Sequence, residues 1–160
     1  MKKWLLFLGV VLVISCSSVD CPVRNTVRCY YNVYDKDGAL LQMPDTLTVY
    51  TKRADGSDTI LLNRGIGLQT FDLPVSYTRQ VDTLFFHFYN DDYNVTDTVW
   101  IKKENYPHFE SMECKVAYFH ELTEFSYTTY AIDSLILKNQ KVDYDDQTTH
   151  FYIYPNSSRY

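Results

Sequence analysis

Glycine is scarce in this chain, and the short motifs that mark common enzyme classes are missing. Only 5 of 160 residues are glycine, and they form neither a phosphate-binding loop nor the Gly-x-Ser-x-Gly turn of many hydrolases. None of the four cysteines forms a Cys-x-x-Cys pair. The sequence therefore gives no sign of P-loop nucleotide hydrolysis, of α/β-hydrolase chemistry or of thioredoxin-like redox chemistry.

Basic residues are also too few for a nucleic-acid-binding surface. The chain has 15 basic and 20 acidic residues, and loss of Lys2 and Lys3 with the first fifteen residues would leave 13 basic residues and a net charge of −7. Binding to a phosphate backbone requires clustered positive charge. We expect no nucleic acid among the partners.

The N-terminus has the three parts of a bacterial lipoprotein signal. Lys2 and Lys3 precede an apolar run over residues 4–14, which is shorter than the roughly 20 residues of a membrane-spanning helix. Residues 13–16 resemble a lipobox that ends at Cys16. We predict a cleaved signal peptide over 1–15 and a lipid-bearing Cys16. The alternative is an ordinary secretory signal with a chance cysteine.

Residues next to Cys16 indicate where the lipoprotein resides. Ser17 follows Cys16, so the aspartate that favours retention in the inner membrane is absent. Asp20 is the only acidic residue nearby, whereas cell-surface export is associated with an acidic cluster. We expect a lipid anchor in the outer membrane, with the protein on its periplasmic face rather than on the cell surface. Residues 16–25 are then a leader, and 26–160 form one domain.

The domain consists of short segments in which apolar and polar residues alternate. Residues 26–34 place Val27, Cys29, Tyr31 and Val33 on one face, and similar segments follow every 8–12 residues, including 95–102 and 127–132. This period of two predicts strands, and apolar residues do not recur at helical spacing. We predict an all-β domain of about nine short strands, a β-sandwich of immunoglobulin-like or related form.

Three cysteines remain once Cys16 is assigned to lipid. In an oxidising compartment an odd number predicts one disulfide and one spare thiol. Cys29 lies on an apolar strand face, where a thiol behaves as a small hydrophobe. We therefore favour a Cys21–Cys114 disulfide, with Cys29–Cys114 as the rival pairing.

Two segments resemble metal sites but lack essential ligands. His120 and Glu121 begin a zinc-protease-like motif that has no second histidine. Asp35, Asp37 and Gly38 resemble the start of a calcium loop, yet its later ligands are absent, and a hairpin turn accounts for these residues. We expect no metal, no cofactor and no catalytic residues.

Tyrosine is abundant, with 15 residues. Exposed aromatic side chains can stack on sugar rings or anchor a protein partner. The candidates on polar faces or in loops are Tyr30, Tyr34, Tyr93, Tyr106 and Tyr144, although an aromatic core and its rim would account for most tyrosines.

Several segments resemble a group of uncharacterised small lipoproteins of Gram-negative bacteria, classed as a domain of unknown function. These segments are residues 21–31, 34–38, 82–84, 111–114 and 132–135. The resemblance spans 16–160 and implies a recurring disulfide between the positions of Cys21 and Cys114. It also implies an outer-membrane protein as partner, and it brings no activity or catalytic residue.

The sequence thus favours a non-enzymatic accessory lipoprotein that binds an outer-membrane or periplasmic protein. A module that binds glycan or peptidoglycan is the main alternative, and it requires exposed aromatic residues on one face or at one end. An enzyme whose site is assembled from distant strands is a third reading, since chance carboxylate pairs are expected among 20 acidic residues.

Overall fold

A computed structural model describes Cys21 and residues 26–156. Cys16, the predicted signal peptide and most of the predicted leader lie outside these residues. The described part contains ten strands and no helix, and therefore no helix long and apolar enough to cross a membrane. The all-β prediction is confirmed, with one strand more than the nine expected. The strands are β1 (Arg28–Val33), β2 (Thr46–Lys52), β3 (Asp58–Gly65), β4 (Thr70–Pro74), β5 (Val81–Tyr89), β6 (Asn94–His108), β7 (Ala117–Tyr127), β8 (Ile132–Leu137), β9 (Lys141–Val142) and β10 (Phe151–Pro155).

The strands form two sheets that pack face to face. One sheet has four strands in the order β4-β1-β10-β8, and the other has six in the order β3-β2-β5-β6-β7-β9. All neighbouring strands are antiparallel except β1 and β10, which run parallel with Tyr31 opposite Phe151. The first and last strands of the domain therefore lie side by side.

An aromatic group fills the centre between the sheets. The ring of Tyr31 stacks between Phe71 at 4.9 Å and Phe151 at 5.3 Å, and Phe86 from the opposite sheet approaches its edge at 6.0 Å. All four side chains are buried. Such rings each bury a large apolar area, and their stacked and edge contacts contribute about 0.5–1.5 kcal/mol per pair beyond burial.

Strand β6 is longer than its alternation alone suggested. The sequence predicted a strand over 95–102, whereas β6 continues to His108 and pairs with β7 along its final segment. Strand β5 reaches only as far as Lys102. The extension formed by residues 103–108 and 117–122, which the short β9 flanks at His120 and Glu121, is called the arm below. Its beginning coincides with a β-bulge, in which Thr123 is the extra residue of β7.

The chain passes from the six-stranded to the four-stranded sheet directly after β7. Residues 127–132 were predicted as a strand, but strand β7 ends at Tyr127 and β8 begins at Ile132. The buried carboxylate of Asp97 accepts hydrogen bonds from the backbone N–H groups of Tyr130, Ala131 and Ile132 at 2.7–2.8 Å. A side chain therefore satisfies donors that no neighbouring strand reaches.

We predict that Asp97→Ala destabilises the domain by about 4 kcal/mol, because three backbone donors at the buried crossing lose their acceptor. Urea unfolding at pH 7 measures the change in the free energy of unfolding. Asp133→Ala, at an exposed position of β8, is the matched control and should change it by less than about 0.5 kcal/mol. A loss below about 1 kcal/mol for Asp97→Ala would contradict this role of the carboxylate.

Candidate functional site

Tyrosines cover part of the solvent-facing side of the four-stranded sheet. Tyr30 and Tyr34 come from β1 and the residue that follows it, and Tyr152 and Tyr154 come from the adjacent β10. The Tyr34 ring lies 4.5 Å from that of Tyr152 and 6.0 Å from that of Tyr154. All four are half-buried. These four side chains are called the tyrosine face.

The alternation of β10 explains why its tyrosines point outward. Phe151 and Ile153 are fully buried between the sheets, so Tyr152 and Tyr154 must lie on the opposite side. The sequence analysis missed these two residues, although the same period of two that revealed the core could have found them. Tyr30 and Tyr34 were among the predicted contacts.

The neighbours of the tyrosine face are mixed in character. Ile136, opposite Tyr152 on β8, exposes 41% of its surface. The ammonium of Lys138 lies 5.2 Å from the centre of the Tyr152 ring. A hydrogen bond with Tyr34 raises the pKa of Tyr152, so its hydroxyl stays protonated at neutral pH. The face combines apolar rings with hydroxyl groups.

A second candidate is an open cleft of about 720 Å³ beside the arm. Tyr106 and Phe119, a cross-strand pair, supply aromatic surface, and Tyr144 meets the Phe119 ring edge-on at 5.0 Å. Polar groups complete the lining: Glu121, Asn139, Gln140, Lys141, Asp143, Asp145 and Thr148. This arrangement can stack against a ring and donate and accept several hydrogen bonds.

The acidic residues of the cleft are held by local hydrogen bonds. Asp143 pairs with Lys141 at 2.9 Å, and that hydrogen bond is the main reason its pKa is lowered. Asp145 accepts a hydrogen bond from the Thr148 hydroxyl at 2.5 Å, which lowers its pKa. Both carboxylates are therefore ionised at neutral pH and are hydrogen-bond acceptors, not proton donors.

His120 also borders the cleft, but its ring is turned inward. The residue lies within β7, is 2% exposed, and its Nδ1 is 2.7 Å from Oδ1 of Asn105. Burial, and secondarily the positive charge of Lys103, lower the pKa of His120 to about 4. The ring is therefore neutral at pH 7. No group of three or more His, Cys, Asp or Glu side chains in the described part of the chain could hold a metal ion.

Lys103 is the most deeply buried charged group near the arm. Its ammonium lies 2.9 Å from the Asp82 carboxylate and donates to the backbone carbonyl of Arg79 at 2.9 Å. Burial lowers the pKa of Lys103, while the Asp82 charge opposes that shift. Asn105 donates to the carbonyls of Tyr77 and Arg79. These contacts fasten the base of the arm to the loop before β5.

The other predicted residues have separate places. The Tyr93 hydroxyl donates to the buried Asp45 carboxylate, so it helps to hold the loop after β5. Cys21 and Cys114 form a disulfide, and Cys29 is a buried free thiol. Tyr106 lines the cleft and Tyr144 contacts Phe119 of its lining, both away from the tyrosine face, so the structure does not unite the five predicted tyrosines. Cys16 lies outside the described residues.

Comparison with known proteins identifies a family without adding an activity. A family model described as "Family of unknown function (DUF6452)" matches residues 46–155. The chain belongs to this family. The match begins with β2 and ends with β10, so the DUF6452 region contains the cleft, the arm and the β10 half of the tyrosine face. No curated protein and no solved structure matches the chain.

Burial of neutral His120 predicts a loss of stability in mild acid. Its folded pKa of about 4 lies below the unfolded value of about 6.5, so stability is complete above pH 6.5 and falls as the pH drops towards 4. We expect this histidine to contribute on the order of 2 kcal/mol to the loss between pH 7 and 4.5.

His120→Gln should reduce that loss by the same amount, because glutamine cannot be protonated there and can still donate to Asn105. Urea unfolding of the parent and the variant at both pH values isolates the contribution of the histidine. An equal acid-induced loss in the two proteins would show that His120 does not titrate as proposed.

Proposed function

We propose that the chain is a non-enzymatic lipoprotein of the outer membrane that acts as an accessory module bound to another envelope protein. In this proposal Cys16 carries the lipid anchor, and the domain faces the periplasm. The tyrosine face is the docking surface.

The N-terminal sequence and the disulfide support export and anchoring together. The positively charged start, the short apolar run and Cys16 have the order of a lipoprotein signal. Disulfides persist in oxidising compartments such as the periplasm and are rare in the cytosol. The Cys21–Cys114 bond lies immediately downstream of the proposed anchor and fits the same compartment.

The tyrosine face supports a protein partner. Tyrosine is enriched in protein interfaces because one side chain provides a rigid apolar ring and a hydroxyl group. On this sheet four tyrosines lie on two adjacent strands, with the exposed Ile136 opposite Tyr152. Docking would remove apolar ring surface from water, and the hydroxyl groups could still find hydrogen-bond partners.

The state of the reactive side chains supports a role without catalysis. Burial raises the pKa of the Cys29 thiol to about 12, so this cysteine is not a thiolate at neutral pH. His120 faces Asn105 inside the arm, and Lys103 is paired with Asp82. His120 and Lys103 therefore have structural partners.

The docking proposal can be tested by photo-crosslinking from the native envelope. A benzoylphenylalanine at Tyr152 should crosslink to one discrete envelope protein, because its side chain faces outward within the tyrosine face. The matched control is the same probe at Ile60, which is 57% exposed on the other sheet.

We also expect the double variant Tyr152→Ser and Tyr154→Ser to reduce recovery of the partner at least about tenfold. Equal crosslinking from both probes, or a product from Ile60 alone, would refute this surface.

The cleft supports a second candidate function, the binding of a saccharide such as a peptidoglycan fragment. Ligand sites are typically concave, with apolar rings and a few polar groups that fix orientation. Tyr106, 45% exposed, and Phe119 offer rings beside the amides of Asn139 and Gln140. This combination suits sugar rings, which have apolar faces and hydroxyl edges.

Titration of the domain with soluble peptidoglycan fragments, followed by NMR, tests this second function. Signals of the cleft should shift, and Tyr106→Ala should weaken binding about tenfold through loss of a stacking ring. Tyr30→Ala, on the tyrosine face, should leave the affinity unchanged. If the NMR signals of the cleft do not shift, or if the Tyr106→Ala variant binds the fragments with full affinity, the proposed saccharide binding is wrong.

A further inference from the structure

The end of the arm exposes two large apolar side chains. Residues 109–116 connect β6 to β7 and are called the arm tip below. Phe109 is 65% exposed and Met112 is fully exposed at 103%. A turn at Ser111 organises the tip. The backbone N–H of Glu113 donates to the Ser111 hydroxyl at 3.2 Å, and the backbone N–H of Cys114 donates to the Ser111 carbonyl at 3.3 Å. The turn keeps Met112 away from the apolar core.

A covalent bond ties the arm tip to the start of the mature chain. Cys114 is joined to Cys21, with a Cα–Cα distance of 5.4 Å. Cys21 follows Cys16 by five residues, which can span at most about 18 Å. The Cα atoms of Cys114 and Cys16 are therefore no more than roughly 23 Å apart. Thr26 also bridges to Tyr118 on the arm, so the chain enters the domain on this side.

The opposite end of the domain lies far from the arm tip. Strand β6 has 15 residues from Asn94 to His108 and spans about 46 Å, with the arm tip beyond His108. Ile66 directly follows β3 and lies near the other end. Its neighbour Gly65 pairs with Leu47 of β2, and Leu47 pairs with Phe88 of β5. Phe88 in turn pairs with Val95, the second residue of β6. The lipid on Cys16 would therefore hold the arm tip at the membrane and direct Ile66 away from it.

We propose that the arm tip is a membrane-contact site in which Phe109 and Met112 enter the headgroup region of the bilayer that holds the acyl chains of Cys16. This inference rests on the lipidation in the proposed function. The tip also carries Glu110, Glu113 and Lys115, which remain in water and limit the contact to the interface. The partner is an uncharged or zwitterionic lipid surface, because an acidic domain gains nothing from anionic headgroups.

The contact would give the domain a fixed orientation on the membrane. An acyl anchor alone leaves the domain free to rotate about its leader. The disulfide places a second, apolar contact close to the first, so the long axis of β6 would stand away from the bilayer. The tyrosine face lies on the four-stranded sheet and not on the arm. It would then face a neighbouring protein and not lipid.

Tryptophan quenching by brominated lipid measures whether the tip meets the membrane. Full-length protein is produced in a lipoprotein-processing bacterium, purified with its lipid and reconstituted in zwitterionic vesicles with brominated acyl chains. Trp100→Phe removes the remaining tryptophan beyond residue 15, and Met112→Trp or Phe109→Trp introduces the reporter. Ile66→Trp is the matched control, since Ile66 is apolar, 75% exposed and at the far end.

We expect the tip reporters to be quenched at least threefold more strongly than Ile66→Trp. Removal of the disulfide with Cys21→Ser and Cys114→Ser should lower the quenching at the tip towards the control value. Mass spectrometry of the same samples determines whether Cys16 carries acyl chains. An acylated protein with equal quenching at both ends would overturn the membrane contact and leave the anchor intact, and a protein without acyl chains would overturn both.

Discussion

The Asp97 carboxylate holds the crossing by which the chain passes from β7 in the six-stranded sheet to β8 in the four-stranded sheet. It collects the N–H groups of residues 130–132 and the Thr128 hydroxyl in a buried position. Strand β8 begins there and pairs with β10, which in turn lies beside β1. The tyrosine face is built on β1 and β10, so its geometry depends on this buried polar contact.

The arm depends on a different set of buried polar contacts. Beyond Lys102 it has lost the support of β5, and the two-residue strand β9 flanks it only at His120 and Glu121. Lys103 compensates through Asp82 and the Arg79 carbonyl, and Asn105 links His120 to the same loop. The disulfide then secures the distal end. A rigid projection allows the cleft and the tip to keep their positions relative to the sandwich.

Alternation in the sequence was sufficient to predict the fold class, because a two-residue period separates buried from exposed side chains along most strands. The alternation failed to predict segments whose structure is determined by contacts with residues distant in the sequence. Residues 127–132 look like a strand, yet the N–H groups of residues 130–132 are satisfied by Asp97, more than thirty residues away. Strand β5 has apolar residues on both faces, and only the fold decides that Phe86 and Phe88 are buried while the outward Phe85 stacks on Tyr50 at 5.0 Å. Tyr106 and Tyr144 are far apart in sequence, and only folding brings both of them to Phe119 beside the cleft.

Recovery of the full-length protein from its native envelope after crosslinking tests the central claim, a lipid-anchored module bound to an envelope protein. The account predicts near-stoichiometric recovery of one membrane protein and loss of that protein when Cys16→Ser removes the anchor. The Cys16→Ser variant keeps the whole folded domain, so a changed result reports on anchoring and not on stability. Recovery of nothing above background with the acylated protein would contradict the account.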